Sequence, residues 1–440
     1  MKLKKVLALG LALSMTVGLA ACGSKEEAPA EDAAVEEEVA ADDAAAEADD
    51  SEASDVTITF ATNVVGTKAE ALEAACKAFE EETGYTVDFQ APGDSYEELM
   101  KTKMSANELP DVFTTHGWSV ARYSDYLMPV NDLEFAADID DQIKSVITDS
   151  EGNMFVLPID IDIAGIVYNV DALETAGVNP DDIKTWEDFG EACEALKTAG
   201  ITPVHIGGKD TWTIGQFFDW AAPSYYITDE ANSQAEDLKN GTFNTDTWEE
   251  VAGLLDSWVK AGYLNEDVLT ADYNADMKAL AEGTTAFCFY GNSSVVDAQA
   301  VNPDANIGMM PIPSASDADE PSLIAGEDVA VGVWKDSEVK EEAIELLNYL
   351  AQPEVCKAIA EAAGCKAGLT TTTAEIGEIG TYLEKYADVA TFPYFDREYL
   401  PSGMWDIMCS TGADILSQKD GAVENAAKTM EQNFNDKFAQ

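Results

Sequence analysis

The stretch from Glu151 to Asn169, EGNMFVLPIDIDIAGIVYN, constrains the fold of this chain more than any other. An apolar run from Met154 to Leu157 meets Pro158 and passes into Asp160-Ile161-Asp162-Ile163. A second apolar strand, Gly165 to Tyr168, follows at once and ends in Asn169. Alternation at period two puts both aspartates on one face and both isoleucines on the other. Paired carboxylates that lead directly into a buried-looking strand predict a segment passing from one lobe to another, its acidic face lining a cleft. The competing expectation is an edge strand with one wet side.

The rest of the folded part reads as alternating strands and helices. Val56 to Phe60 alternates like a strand, and Lys68 to Thr83 repeats apolar residues at Leu72, Ala75, Cys76 and Phe79 before Gly84 stops the helix. Val87-Asp88-Phe89 is a second strand, Ser95-Tyr96-Glu97-Glu98 is a capping-box start, and Pro110 to Phe113 opens a third strand. This order predicts α/β architecture, with mostly parallel sheets flanked by helices and ligands held beyond the carboxyl ends of the strands. Thr114-Thr115-His116-Gly117-Trp118 leaves such an end, so His116 and Trp118 are binding candidates, with a cap and a core filler as their plainer readings. Thr185-Trp186-Glu187-Asp188 caps a later helix, and Trp248 to Lys260 is amphipathic core. Of the rings between Trp212 and Trp220, only Trp212, which precedes its helix, is kept as a ligand candidate. Gly283 to Ser294 runs from a helix stop through a buried strand into a polar turn, and Gly326 to Val331 is expected to cross back to the first lobe.

With 440 residues there is enough chain for two lobes and a large core. A net charge of -59 argues against nucleic acid, which needs Lys/Arg clusters that are absent beyond the first five residues, and against an anionic membrane surface. Lys2, Lys4 and Lys5, then an apolar segment from Val6 to about Ala20, then Leu19-Ala20-Ala21-Cys22 read as an export signal ending in a lipobox. Residues 1–21 are the expected signal peptide, and Cys22 becomes the lipid-modified mature N-terminus. Residues 22–54 carry Ala, Glu and Asp with few large apolar side chains, the composition of a disordered acidic linker. Acyl chains then hold an extracellular protein on the cell membrane without a spanning helix.

Taken together these residues resemble the extracellular solute-binding lipoproteins of ABC importers, in the sugar-binding group that includes maltose-binding protein. The markers are Leu109-Pro110-Asp111-Val112; Leu157-Pro158 leading to Val167-Tyr168-Asn169; Lys184 to Phe189; Gly283 to Gly291 with Asn302 to Gly308; and Lys340 through Leu350 to Pro353-Glu354. The resemblance implies a two-lobe, type II binding-protein fold with crossing hinge strands. Lobe 1 is then 55–161 with 328–373, and lobe 2 is 162–327 with 374–440. It also implies that Trp405 is the family's stacking tryptophan and that the position after Leu-Pro falls on Ile159 and Asp160. One motif departs: Gly291-Asn292-Ser293 stands where many relatives carry a tryptophan.

A sugar suits this chemistry, since carboxylates and amides satisfy its rim of hydroxyls while rings cover its C–H faces. Asp160, Asp162, Asn292, Glu327 and Asp328 are the acceptor candidates, and Trp118, Trp212, Tyr290 and Trp405 the stacking ones. The expected function is capture of a carbohydrate, an oligosaccharide, for delivery to ABC permease transmembrane subunits by a monomer that is not an enzyme and carries no cofactor. The alternatives are a peptide or polyamine binder and a secreted glycoside hydrolase; alternate strand positions lie roughly 7 Å apart, a spacing that leaves catalysis open. His116 and His205 are the only histidines and neither has a second ligand at metal spacing. Cys76, Cys193, Cys288 and Cys356 read as small core residues, and whether Cys356 and Cys365 pair is open.

Overall fold

Ile58 and Phe60 alternate with polar neighbours and are fully buried, as suits β1 (Thr57–Ala61), an inner strand of the first sheet. The computed structural model describes residues 56–92, 96–115, 123–144, 146–149 and 151–439. Cys22, Ser95, His116 and Trp118 lie outside the described residues. β1 pairs in parallel with β2 (Thr86–Gln90) and with β3 (Val112–Thr115). The helix Gly66–Thr83 links β1 to β2, buries Leu72, Ala75, Cys76 and Phe79, and ends at Gly84. There φ is 76° and the Gly84 N–H donates to the Glu80 carbonyl, a left-handed cap that glycine adopts without strain.

The Glu151–Asn169 stretch threads three sheets in succession. β4 (Leu157–Pro158) closes the first, in the order β2-β1-β3-β11-β4; β5 (Asp160–Ala164) belongs to the second, β12-β5-β10-β13; β6 (Ile166–Asn169) belongs to the third, β7-β8-β6-β9. The chain returns the same way, from β9 (Ile307–Met310) through β10 (Leu323–Glu327) to β11 (Ala330–Val333). The short strands β7 (Thr202–Val204), β8 (Thr285–Cys288), β12 (Lys366–Ala367) and β13 (Thr391–Phe392) complete the set. The middle sheet is thus built on the two crossing strands, β5 and β10, which run antiparallel with Gly326 opposite Asp162 and Glu327 opposite Ile161.

Parallel pairing holds for β1 with β2 and β3, for β7 with β8 and for β10 with β13. β11 pairs antiparallel with β3 and β4, and β6 antiparallel with β8 and β9. The sheets are therefore mixed where the sequence suggests mostly parallel ones: a strand that arrives from another sheet enters from the opposite end, so each crossing brings antiparallel pairs. The wet edge strand does not occur, because Asp160, Ile161 and Asp162 are all buried.

One apolar core gathers residues from Ile58 to Ile161 and from Ala325 to Leu369; a second runs from Ala164 to Ile324 and from Tyr394 to Phe434. A smaller cluster around Met277, Cys288 and Met309 lies on the third sheet. The helix Trp186–Thr198 starts with a complete capping box between Thr185 and Asp188, and the helix Thr245–Ala261 buries Trp248, Val251, Leu255 and Trp258. Cys76, Cys193, Cys288, Cys356, Cys365 and Cys409 are all buried free thiols.

Candidate functional site

β5 carries its two aspartates into the seam between the cores, and each is fastened differently. Asp160 is completely buried; Oδ1 accepts from the Val329 N–H at 2.7 Å, while Oδ2 has no hydrogen-bond partner. Burial raises its pKa to about 7 against the opposing charge of Lys68. Asp162 lies over Gly291, where a β-carbon would overlap the carboxylate. Its Oδ1 accepts from the Ser293 N–H at 3.2 Å, and its Oδ2 accepts from the Tyr394 hydroxyl at 3.2 Å. Burial raises this pKa too, and the Asp328 charge adds to the effect. The strand alternation that put both carboxylates on one face did bring them together, inside the molecule.

Two cations pair with the acids that end the other crossing segment, Glu327 and Asp328. Lys68, in the first turn of the helix Gly66–Thr83, pairs with Asp328. Burial works against its charge, but Asp328 and Asp160 outweigh it and hold the pKa well above the ordinary lysine value. Arg397 donates from Nη1 to the Glu327 carbonyl at 2.7 Å and to Glu327 Oε1 at 3.2 Å. Its guanidinium lies 4.1 Å from the Tyr394 ring centroid, a cation–π stack. Gly326 leaves room for that ring, since a β-carbon there would overlap it. Lys68, Tyr394 and Arg397 carry no sequence signal of their own: Lys68 reads as an ordinary helix residue, and Tyr394 and Arg397 stand far down the chain from β5.

The aromatic candidates form a second group. Trp212, first residue of the helix Trp212–Tyr226, is 37% exposed, with its centroid 5.3 Å from Tyr273 and 5.8 Å from Tyr290. Tyr290 is buried, and its hydroxyl donates to Asp276, whose other oxygen meets His205 Nδ1 at 2.6 Å. Trp405 starts the helix Trp405–Leu416 and packs over Gly215, its ring 3.1 Å from where a β-carbon would stand. One turn on from Gly215, the buried Asp219 accepts from the Asp396 N–H at 2.6 Å. Two residues before Asp396 comes Tyr394, on Asp162. Contacts and short stretches of chain thus lead from Trp405 to Asp162.

Asn292 sits elsewhere in the scheme. It is fully buried, its Oδ1 accepts from the Ile163 N–H at 2.6 Å, and its Nδ2 donates to the Gly364 carbonyl. Its amide is committed to backbone, which the polar turn in the sequence did not reveal. Glu327 and Asp328 are engaged by Arg397 and Lys68 respectively. Among the described residues no group of three or more His, Cys, Asp or Glu is arranged to hold a metal ion.

Comparison with known proteins fits this two-core arrangement. The model of the bacterial extracellular solute-binding protein family matches residues 65–355. The chain belongs to that family. This solute-binding protein is 32% identical over 379 residues to the melibiose/raffinose/stachyose-binding protein MelE of Bacillus subtilis, a match covering 84% of this chain and 88% of MelE. A sugar transporter from Bacillus licheniformis, solved in complex with stachyose, superposes with a TM-score of 0.79 at 32% identity, covering 87% of this chain and all of that one. The binding protein MsmE of Bacillus subtilis, solved in an open conformation, gives 0.76 at 30% identity, over 87% of this chain and 98% of its own. The fold is accordingly the two-lobed type II solute-binding fold, in which β5 and β10 are crossing strands.

Proposed function

We propose that this solute-binding protein captures a neutral oligosaccharide of the raffinose and stachyose kind and delivers it to the transmembrane subunits of an ABC importer. The observation that carries the reading is that Trp212 and Trp405 both pack at the first turn of the helix Trp212–Tyr226, while Asp160 and Asp162 lie on the crossing strand β5. Rings to cover C–H faces and acids to accept from hydroxyls are what a pyranose requires. The full-length likeness to MelE and to a transporter holding stachyose supports the sugar class. Asp160, with Oδ2 unpartnered, and the rings of Trp212, Tyr290 and Trp405 are the contacts we assign; Asp162, Asn292, Glu327 and Asp328 shape the seam. His116 and Trp118, which follow β3 in the sequence, stay binding candidates.

In this reading 55–161 with 328–373 form one lobe and 162–327 with 374–440 the other, closing on the sugar about the crossing strands. Residues 1–21 are removed as a signal peptide. Cys22 carries the lipid, residues 22–54 are the tether, and a monomer without cofactor works at the outer face of the membrane. The protein binds its sugar and does not hydrolyse it.

Thermal melting in the presence of stachyose, raffinose, melibiose, a peptide mixture and spermidine tests this. A ligand at 100 times its Kd stabilises by about 2.7 kcal/mol, so a sugar that binds must raise the melting point. A shift with spermidine or peptides alone would overturn the carbohydrate reading, and release of galactose from stachyose would overturn the non-enzymatic one. Trp405→Ala is expected to weaken stachyose binding at least roughly tenfold in calorimetric titration.

A further inference from the structure

The helix Trp212–Tyr226 buries Ile214, Phe217, Phe218 and Ala221 in the core. Another stripe of the same helix, Trp212, Gln216 and Asp219 at spacings of four and three, shares one side. Trp212 at its start is exposed beside Tyr273 and Tyr290, Trp405 closes over Gly215, and Asp219 is buried against the Asp396 N–H. Gln216 stands in the middle, half-buried, and its carboxamide makes no hydrogen bond to any described residue. The carboxylate of Asp219 and the indole nitrogen of Trp220, its neighbours one turn on, are by contrast already engaged, the latter with the Gly165 carbonyl at 2.7 Å.

A partly buried amide gains nothing from the protein unless something satisfies it, and this one offers two donors and an acceptor one turn on from Trp212, on the same side of the helix. Stacking rings accept any sugar face, so orientation of hydroxyls has to be read by directional groups. We propose that Gln216 is the specificity-determining residue of the site: Oε1 accepts from one hydroxyl and Nε2 donates to the adjacent one, on the sugar unit held against Trp212 and Trp405. This assignment rests on the carbohydrate reading above and adds to it the group that distinguishes one neutral oligosaccharide from another.

The test is calorimetric titration of the full chain and of Gln216→Met with stachyose and with maltotetraose, two neutral tetrasaccharides whose hydroxyls point differently. Methionine matches glutamine in length and in helix propensity, so the sugar-free melting point should not move. Stachyose affinity is expected to fall at least roughly tenfold and the preference between the two sugars to narrow. Gln216→Glu, which keeps the shape and the acceptor but cannot donate, should lose affinity for stachyose as well and guards against a folding defect in the first variant. Binding of stachyose by both variants within roughly twofold of the parent, with the preference intact, would overturn the assignment while leaving the carbohydrate reading standing. A parent protein that gives no heat with either sugar would overturn both.

Discussion

Gly291 is present because Asp162 occupies the space beside it: an added β-carbon would overlap the carboxylate that fastens Ser293 and Tyr394. Gly291→Ala is therefore expected to destabilise the fold by about 1–3 kcal/mol, measured by denaturant unfolding, and to weaken sugar binding with it. Full retention of both would show that Asp162 can move aside freely. Asp219 gives a pH dependence whose sign follows from its raised pKa. Burial, with the Asp396 charge adding to it, raises this carboxyl to about 7, so the folded state holds its proton more tightly than the unfolded chain does. Its contribution to stability is complete below about pH 4, the unfolded value, and is lost as the pH rises through about 7. Asp219→Asn keeps an acceptor for the Asp396 N–H and should flatten the fall in melting temperature between pH 5 and 8. An unchanged slope would place the titration elsewhere, with Asp160 the next group to examine. Neither residue announces itself in the sequence, where Gly291 reads as a turn and Asp219 as one acid within an aromatic helix.

Elements differ in how openly the sequence declares them. The capping box at Thr185 and Asp188, the stop at Gly84 and the amphipathic faces of the helices Gly66–Thr83 and Thr245–Ala261 are local patterns, and each forms as its spacing predicts. The helix Ser293–Val301 is the opposite case. It has no side-chain cap bond, and what holds its start is remote: Asp162 on the Ser293 N–H and Asn292 bridging the Ile163 N–H to the Gly364 carbonyl. Asn292→Ala would leave a buried donor and a buried acceptor without partners, at a cost on the order of 2–4 kcal/mol. Faster hydrogen exchange at Ile163 and Ser293 is the accompanying signature. A stable variant with unaltered exchange would show that water replaces the amide there. Strand direction also escaped local reading, because whether β11 or β6 runs parallel or antiparallel to its neighbours depends on the route by which the chain arrives.

At the scale of the whole molecule, charge acts first. A net charge of -59 produces self-repulsion that favours expansion, and raising sodium chloride from 10 to about 300 mM should raise the melting temperature as the repulsion is screened. A fall instead would mean that ion pairs such as Lys68 with Asp328 and Arg397 with Glu327 dominate over the surface field. The sequence by itself determined the alternation of strands and helices, the acidic character, and the crossing at Glu151–Asn169, because period, capping and composition are properties of neighbouring residues. It also placed Asp160 and Asp162 on one face. Only the tertiary structure decided what those carboxylates meet, since Lys68, Tyr394 and Cys365 reach them from segments between 92 and 232 positions away. Contact over such separations is fixed by how the three sheets are joined, and no pattern along the chain encodes it.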